Sequence, residues 1–123
     1  MPRRLDPGPD HPITIELKST PVRVMLAGEP VLAAAHHLEL REAHYPPVAY
    51  LPRDGIDITH LERSEHTTWC PYKGEARYFH LRAADGSVRE NAVWTYETPF
   101  PAVAAIKDAL AVYTDRVDAV EIG

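Results

Sequence analysis

The chain has 123 residues, and 13 lysines and arginines against 18 aspartates and glutamates give it a formal net charge of −5. This length fits one domain. The acidic balance argues against a nucleic-acid-binding protein, which needs a basic face, and no apolar run reaches the roughly 20 residues of a membrane span. A single cysteine, Cys70, excludes an internal disulfide framework. No apolar stretch follows the first basic residues, so we expect no secretory signal and a cytoplasmic protein.

The first part of the chain divides into an arm and the start of a folded domain. Residues 1–12 hold four prolines, and we predict that they form a flexible N-terminal arm. Residues 13–123 are predicted to form a single β-rich domain. Apolar and polar residues alternate over 13–17, which is typical of a half-buried strand.

A first hairpin follows. Residues 22–26 and 31–33 are predicted strands, and the turn residues 28–30 lie between them. Residues 34–45 fit either a strand or a helix, because the alternation favours one and the Ala, Leu and Glu content favours the other. Residues 48–51 read as a short strand.

A second hairpin is indicated later in the chain. Residues 67–69 are a predicted strand, and residues 70–74 form a predicted tight turn. Strands over 76–81 and 88–96 flank Asp85-Gly86, which is the strongest local turn signal in the sequence.

The C-terminal part contains the only clear helical pattern. Over residues 102–113, apolar residues recur at helical spacing and predict an amphipathic helix, with Pro101 suited to its first position. The stripe consists of Val103, Ile106, Leu110 and Tyr113. Residues 117–122 are a predicted closing strand. The short connections favour antiparallel pairing, so we predict a mainly β, antiparallel sheet domain with one C-terminal amphipathic helix.

The turn at residues 70–74 carries the densest set of reactive side chains. In a zinc knuckle the fourth turn residue is a second cysteine, but here it is Lys73, so a cysteine-based zinc site is excluded by ligand count. A mixed site would need His60, His66 or His80, whose spacing matches no common motif. We assign no metal and no cofactor.

The turn also has a catalytic interpretation and a structural one. Cys70 and Lys73 are the catalytic candidates of an enzyme hypothesis, because a nearby ammonium lowers a thiol pKa and makes a thiolate nucleophile. The structural alternative is that Cys70 packs as a small buried hydrophobe.

A second cluster lies before this turn. Arg53 offers a planar fork for a carboxylate or phosphate, and Tyr50 offers a ring with a hydroxyl. The alternative is that Arg53 pairs with Asp54 or Asp57. Those two aspartates are also the candidate pair for a magnesium-dependent mechanism.

The motifs together resemble a widespread bacterial family of unknown function, also found in fungi, that is sometimes labelled nucleotidyltransferase-like. The resemblance begins near residue 11 and runs to the C-terminus. The residues that carry it are 46–54, 61–64, 68–78, 92–97, 99–101, 112–113 and 116–118, and its specific part is the Cys-Pro-x-Lys-Gly block at its spacing from Pro-Pro and Pro-Arg. Many members carry an aspartate at the position of Ala34, so an activity that needs that carboxylate is not expected here.

The resemblance implies a β-tent-like fold whose knuckle-like turn lacks its metal, and such folds can present an aromatic pocket. On this basis we predict a pocket for a small anionic or carbonyl-bearing ligand. Its predicted residues are Tyr50, Arg53, Trp69, Cys70, Tyr72, Lys73 and Trp94. A ligand-binding module is the first functional hypothesis, and an enzyme of nucleotidyltransferase-like or Cys/Lys-dependent type is the second. A protein-interaction or structural domain, with a homodimer formed through strand edges, is the third.

Overall fold

The structure, a computed structural model, describes residues 3–123; Met1 and Pro2 of the predicted arm lie outside the described residues. Ten strands are found in the described chain. They are β1 (Ile13–Lys18), β2 (Val22–Leu26), β3 (Glu29–Ala34), β4 (His37–Glu42), β5 (Val48–Tyr50), β6 (Leu61–Cys70), β7 (Gly74–Arg82), β8 (Val88–Thr95), β9 (Leu110–Val112) and β10 (Ala119–Ile122).

The strands form three sheets, ordered β1-β4-β5, β10-β2-β3 and β6-β7-β8-β9. Every pairing of these strands is antiparallel. An isolated bridge, in which Leu51 and Leu110 exchange both backbone hydrogen bonds at 2.8 Å, joins the end of β5 to β9. The predicted mainly β, antiparallel architecture is therefore confirmed.

Both predicted hairpins are present. β2 and β3 are joined by Ala27 and Gly28, which have φ of 54° and 79°, as a two-residue turn of the favoured hairpin type requires. β7 and β8 flank Asp85-Gly86 as predicted. The ambiguous residues 34–45 contain strand β4, which pairs with β1 on one side and β5 on the other.

The predicted C-terminal amphipathic helix is wrong. Residues Pro101–Ile106 form only a short 3-10 helix, which is interrupted at Val103, and Asp108 then adopts a φ of 62° that reverses the chain. Leu110 to Val112 return to the four-stranded sheet as β9. No helical segment within residues 3–123 combines the length and hydropathy that crossing a bilayer demands.

The four-stranded sheet β6-β7-β8-β9 is covered on both faces. Because side chains alternate along a strand, Phe79 and Val93 face one side while Tyr78 and Trp94 face the other. The first face packs on β2 and β3 and forms what we call the first core. The second face packs on β4, β5 and the 3-10 helix and forms the second core. The candidate site lies at the second core.

The described part of the predicted arm, residues 3–12, contacts the domain. The Leu5 amide donates to the Pro71 carbonyl at 2.8 Å, and the Trp69 indole donates to the Arg3 carbonyl at the same distance. The His11 ring stacks on Tyr72 with ring centroids 3.8 Å apart. These contacts bring His11 to the edge of the second core.

Candidate functional site

A cavity of about 270 Å³ opens between the β1-β4-β5 sheet and the second face of the four-stranded sheet. We call it the tyrosine cleft, because five of the chain's six tyrosines line it. Four of them belong to the second core, and the fifth, Tyr45, lies at the rim. Its lining residues are Leu40, Glu42, Tyr45, Pro46, Val48, Tyr50, Thr68, Lys73, Tyr78, Trp94, Tyr96 and Tyr113.

The β6–β7 turn presents Lys73 to the cleft. The Lys73 amide donates to the Cys70 carbonyl at 3.2 Å, which closes the turn, and Pro71 sets the backbone angle at the first corner. Gly74 leaves the turn with a φ of 109°, and a Cβ there would lie 3.4 Å from the Thr98 carbonyl oxygen. This conformation favours glycine, which explains why the turn ends at Gly74, directly after the lysine that lines the cleft.

Lys73 forms a buried ion pair with Glu42 of β4. The Lys73 side chain is only 10% exposed, and its ammonium donates to Glu42 Oε1. The other carboxylate oxygen, Oε2, lies 2.7 Å from His11 Nε2. Burial by itself would raise the pKa of Glu42, but the hydrogen bonds from Lys73 and His11 outweigh it and hold that pKa below its usual value. Glu42 is therefore ionised at neutral pH.

A chain of hydroxyl groups crosses one wall of the cleft. Thr68 Oγ1 lies 2.9 Å from the Tyr78 hydroxyl, which lies 3.3 Å from the Tyr113 hydroxyl. Burial, followed by the hydrogen bond to Tyr78, raises the pKa of Tyr113 to about 12. The Tyr113 phenol is therefore neutral at pH 7 and can donate one hydrogen bond.

An indole and two more phenols also line the cleft. The Trp94 indole donates to the Tyr50 hydroxyl at 3.2 Å, and the Trp94 ring lies 4.6 Å from that of Tyr113. Burial raises the pKa of Tyr50 and of Tyr96. Among residues 3–123 the Tyr96 hydroxyl has no hydrogen-bond partner, and it borders the same cavity. It is a donor available to a bound molecule.

Three of the predicted pocket residues share this cleft: Tyr50, Lys73 and Trp94. They come from β5, the β6–β7 turn and β8, which the two sheets bring together. The ammonium, one phenol and the indole of the predicted pocket therefore meet in one cavity.

The other predicted residues lie elsewhere. Arg53 donates to the Asp108 carbonyl at 3.0 Å and lines a separate cavity. Trp69 is 40% exposed and contacts the arm, and Tyr72 stacks on His11. Cys70 is partly buried against the second core and does not line the cleft.

The candidate metal ligands are occupied by other contacts. His60 Nδ1 lies 2.7 Å from the Arg82 carbonyl, and His80 Nδ1 accepts from the Asn91 amide at 3.0 Å. The His66 ring packs against Tyr78. Asp57 caps Thr59 and is fully exposed. Within the described chain, no three or more His, Cys, Asp or Glu side chains are grouped so that they could hold a metal ion.

Sequence reasoning missed several residues of the cleft and its edge: Glu42, His11, Thr68, Tyr78, Tyr96 and Tyr113. Glu42 and Lys73 are 31 positions apart, so no local spacing connects them. Tyr78 and Trp94 are register partners in the second hairpin, but the register shifts between Phe79 and Leu81, so counting from the turn does not pair them.

A family model matches most of the chain. A search of curated proteins finds no match to the chain. Residues 14–123 match the family labelled NTP_transf_9 and described as a domain of unknown function (DUF427). This match spans β1 from Thr14, the other nine strands in full, the turn that presents Lys73 and every residue that lines the cleft. The chain therefore belongs to the DUF427 family.

Proposed function

We propose that the protein binds a small molecule that carries a carboxylate or carbonyl group, and that it does so in the tyrosine cleft. The observation that carries this proposal is a lysine ammonium held inside a cavity whose other polar groups are mainly neutral phenols. Binding sites for small molecules are typically concave and aromatic, with a few placed polar groups.

The polar groups of the cleft suit an oxygen-rich ligand. The Lys73 ammonium has three N–H donors, and the contact with Glu42 uses one of them. The Tyr96 phenol supplies a further donor, since its raised pKa keeps the proton in place. Ligand oxygens would accept these bonds, while the Trp94 ring offers a flat apolar surface.

The charge balance favours a ligand with no more than one negative charge. Glu42 neutralises Lys73, so the pair leaves no excess positive charge for a multiply charged anion. A polyanion such as a nucleoside triphosphate would face the Glu42 carboxylate without enough positive charge to compensate it.

A purely structural role explains this ion pair less well. Removing two charges from water costs more than a typical buried pair returns, and well-packed apolar residues often replace such pairs without loss of stability. Ligand binding would explain why an ion pair is kept at the edge of a cavity, because the ligand could contact its charged groups.

The family label suggests nucleotidyl transfer, and the donor set supports this less than it supports binding. That chemistry commonly uses Mg²⁺ held by more than one carboxylate. Among residues 3–123, Glu42 is the one carboxylate that lines the cleft, and it is paired with Lys73 and His11. Asp54 lies on a different cavity and Asp57 on the surface.

Two finer features belong to the same proposal. The likeness to β-tent folds is supported by several small antiparallel sheets and the metal-free knuckle-like turn. A cytoplasmic location is supported by a chain that carries one free cysteine and no disulfide.

A thermal-shift screen tests binding directly. The compounds are small carboxylates, amides, nucleotides and sugar phosphates, each added to the wild-type protein. A compound at 100 times its dissociation constant stabilises the protein by about 2.7 kcal/mol, a shift of several degrees in this size range. We expect hits among the carboxylates or amides.

Two lysine variants test whether a compound that stabilises the protein binds in the tyrosine cleft. Lys73→Met removes the ammonium in the cleft, while the control Lys107→Met removes an exposed ammonium outside it. The proposal requires that the shift be lost in Lys73→Met and kept in Lys107→Met. Hits that survive in Lys73→Met, or a screen without hits, would contradict it.

A further inference from the structure

A second cavity, of about 380 Å³, adjoins the tyrosine cleft. We call it the apolar groove, because most of its wall is aliphatic or aromatic. Its lining residues are Val24, Tyr45, Pro46, Pro47, Val48, Ala49, Leu51, Trp94, Val112, Tyr113, Thr114, Asp115, Val120 and Ile122. In the described chain, Asp115 is the one charged residue that lines it.

The apolar groove and the tyrosine cleft share five lining residues: Tyr45, Pro46, Val48, Trp94 and Tyr113. The same Trp94 and Tyr113 rings thus border both cavities. The shared wall is formed by the β4–β5 connection on one side and by β8 and the end of β9 on the other. A molecule bound in the cleft therefore has an apolar channel beside it.

The two cavities differ in the polarity of the residues that line them. The cleft contains the Lys73 ammonium and most of the tyrosine hydroxyls, while nine of the fourteen residues that line the groove are aliphatic. Taken separately, the cavities are near the lower end of the roughly 300–1,000 Å³ range of ligand sites, and together they lie well within it.

We propose that the two cavities bind one amphipathic monocarboxylate, with its carboxylate at Lys73 in the cleft and its apolar chain along the groove. This inference rests on the proposed function and specifies the ligand class. The chain gains stability by leaving water, since each buried methylene is worth about 0.8 kcal/mol.

Asp115 limits the ligand to a single carboxylate. It lies at the groove, so a dicarboxylate that reached from Lys73 along the groove would bring its second charge near the Asp115 carboxylate. Like charges at short range are unfavourable, and the groove has no cation on its lining to offset them. Octanoate should therefore bind more tightly than the dicarboxylate of equal length.

A fluorescence titration tests the proposal. Trp69→Phe leaves Trp94, which borders both cavities, as the only tryptophan. Butanoate, hexanoate, octanoate and octanedioate are titrated into this variant. We expect affinity to rise about fourfold for each methylene that enters the groove, and by at least about tenfold from butanoate to octanoate.

A matched pair of variants tests whether the gain in affinity with chain length comes from contacts in the groove. Ile122 is 56% exposed and lines the groove, whereas Leu17 is 64% exposed and does not. Ile122→Asp should weaken octanoate by about fivefold and leave butanoate nearly unchanged, because a charge would then border the chain. Leu17→Asp should change neither, and unfolding curves of both variants check that they fold.

The outcomes separate this inference from the proposed function. Carboxylate binding that depends on Lys73 but not on chain length would overturn the inference and leave the proposed function standing. A length dependence unaffected by Ile122→Asp would also overturn it, since the chain would then lie elsewhere. If neither a carboxylate nor any compound of the thermal-shift screen perturbs Trp94, both proposals fail.

Discussion

The two faces of the four-stranded sheet β6-β7-β8-β9 differ in what they bury. The first core contains fifteen buried apolar residues, with Phe79 as the one aromatic ring among them. The second core contains Tyr50, Tyr78 and Tyr96, and it borders the Lys73–Glu42 pair and the tyrosine cleft. We infer that the first face chiefly stabilises the fold, and that the second face is less closely packed because it leaves room for a polar cavity.

The difference arises from alternation along the same strands. In β7, Tyr78 faces the second core and Phe79 the first; in β8, Trp94 and Val93 divide in the same way. One sheet can therefore carry an apolar core on one face and a binding surface on the other, because adjacent residues of a strand point to opposite faces.

Truncation in the first core should give the largest effect. Leu81 is fully buried there, and Leu81→Ala should lower the free energy of unfolding by about 2–5 kcal/mol, because it removes buried methyl groups and leaves a cavity. Urea denaturation measures this change. A loss below about 1 kcal/mol would show that the first core is less well packed than the structure indicates.

Breaking the ion pair should have a smaller effect that depends on pH. Glu42→Gln leaves the Lys73 ammonium buried without its counter-charge, and we expect a loss of about 1–3 kcal/mol near neutral pH. The folded-state pKa of Glu42 is lowered, so its contribution is present above 4.5, the ordinary value, and is lost as the pH falls through the lower folded-state value.

Urea denaturation of wild type and Glu42→Gln at about pH 7 and about pH 3 measures this dependence. The stability difference should narrow at the lower pH, because wild-type Glu42 then becomes protonated too. A difference that is equal at both values would mean that the Glu42 charge contributes nothing.

Replacing both charges should separate stability from binding. In Glu42→Leu/Lys73→Met neither group of the ion pair is left without its partner and only His11 loses a contact, so stability should return to within about 1 kcal/mol of wild type. Binding of a carboxylate should remain lost, because the ammonium is gone. A double variant as unstable as Glu42→Gln would show that the pair is needed for the fold itself.

Removing one hydroxyl should affect the cleft more than the fold. Tyr78→Phe deletes the hydrogen bonds to Thr68 and Tyr113, at a cost of about 0.5–1.5 kcal/mol. The pKa of Tyr113 should fall from about 12, though burial will keep it above its ordinary value of 10.0. NMR titration of ¹³C-labelled tyrosine reads this pKa, and Tyr72→Phe is the control outside the cleft. An unchanged Tyr113 pKa would contradict the hydroxyl chain.

The smallest effect is expected outside both cores. Trp69→Phe removes an exposed hydrogen bond to the Arg3 carbonyl, and it should change stability by less than about 0.5 kcal/mol. Thermal denaturation measures the change. A larger loss would mean that the arm stabilises the domain through Trp69.

Local signals in the sequence predicted much of the fold. The Asp85-Gly86 turn and the alternation on either side of it identified the second hairpin. The helix prediction correctly identified Val103, Ile106 and Leu110 as buried, but it assigned them to the wrong backbone structure. A 3-10 helix and a strand bury these residues instead of one α-helix. Apolar spacing records which residues are buried and does not by itself record the backbone path.

The candidate site was less predictable, since it depends on contacts across sheets. Lys73 could be singled out because its turn is encoded locally. Its partner Glu42 lies on a separate sheet, and His11 belongs to a segment that reads as an arm. Tyr78 and Trp94 pair only after the register shifts between Phe79 and Leu81, which the turn does not reveal.

The two tryptophans allow the central claim to be tested on the unmodified protein. Trp94 lies in the cleft and donates to Tyr50, whereas Trp69 lies outside it and donates to the arm. A ¹H–¹⁵N spectrum resolves both indole N–H groups, and octanoate or another small carboxylate is added stepwise. The account predicts a saturable shift of the Trp94 resonance while that of Trp69 stays in place. A series of carboxylates that leaves Trp94 unmoved, or that moves both resonances together, would contradict it.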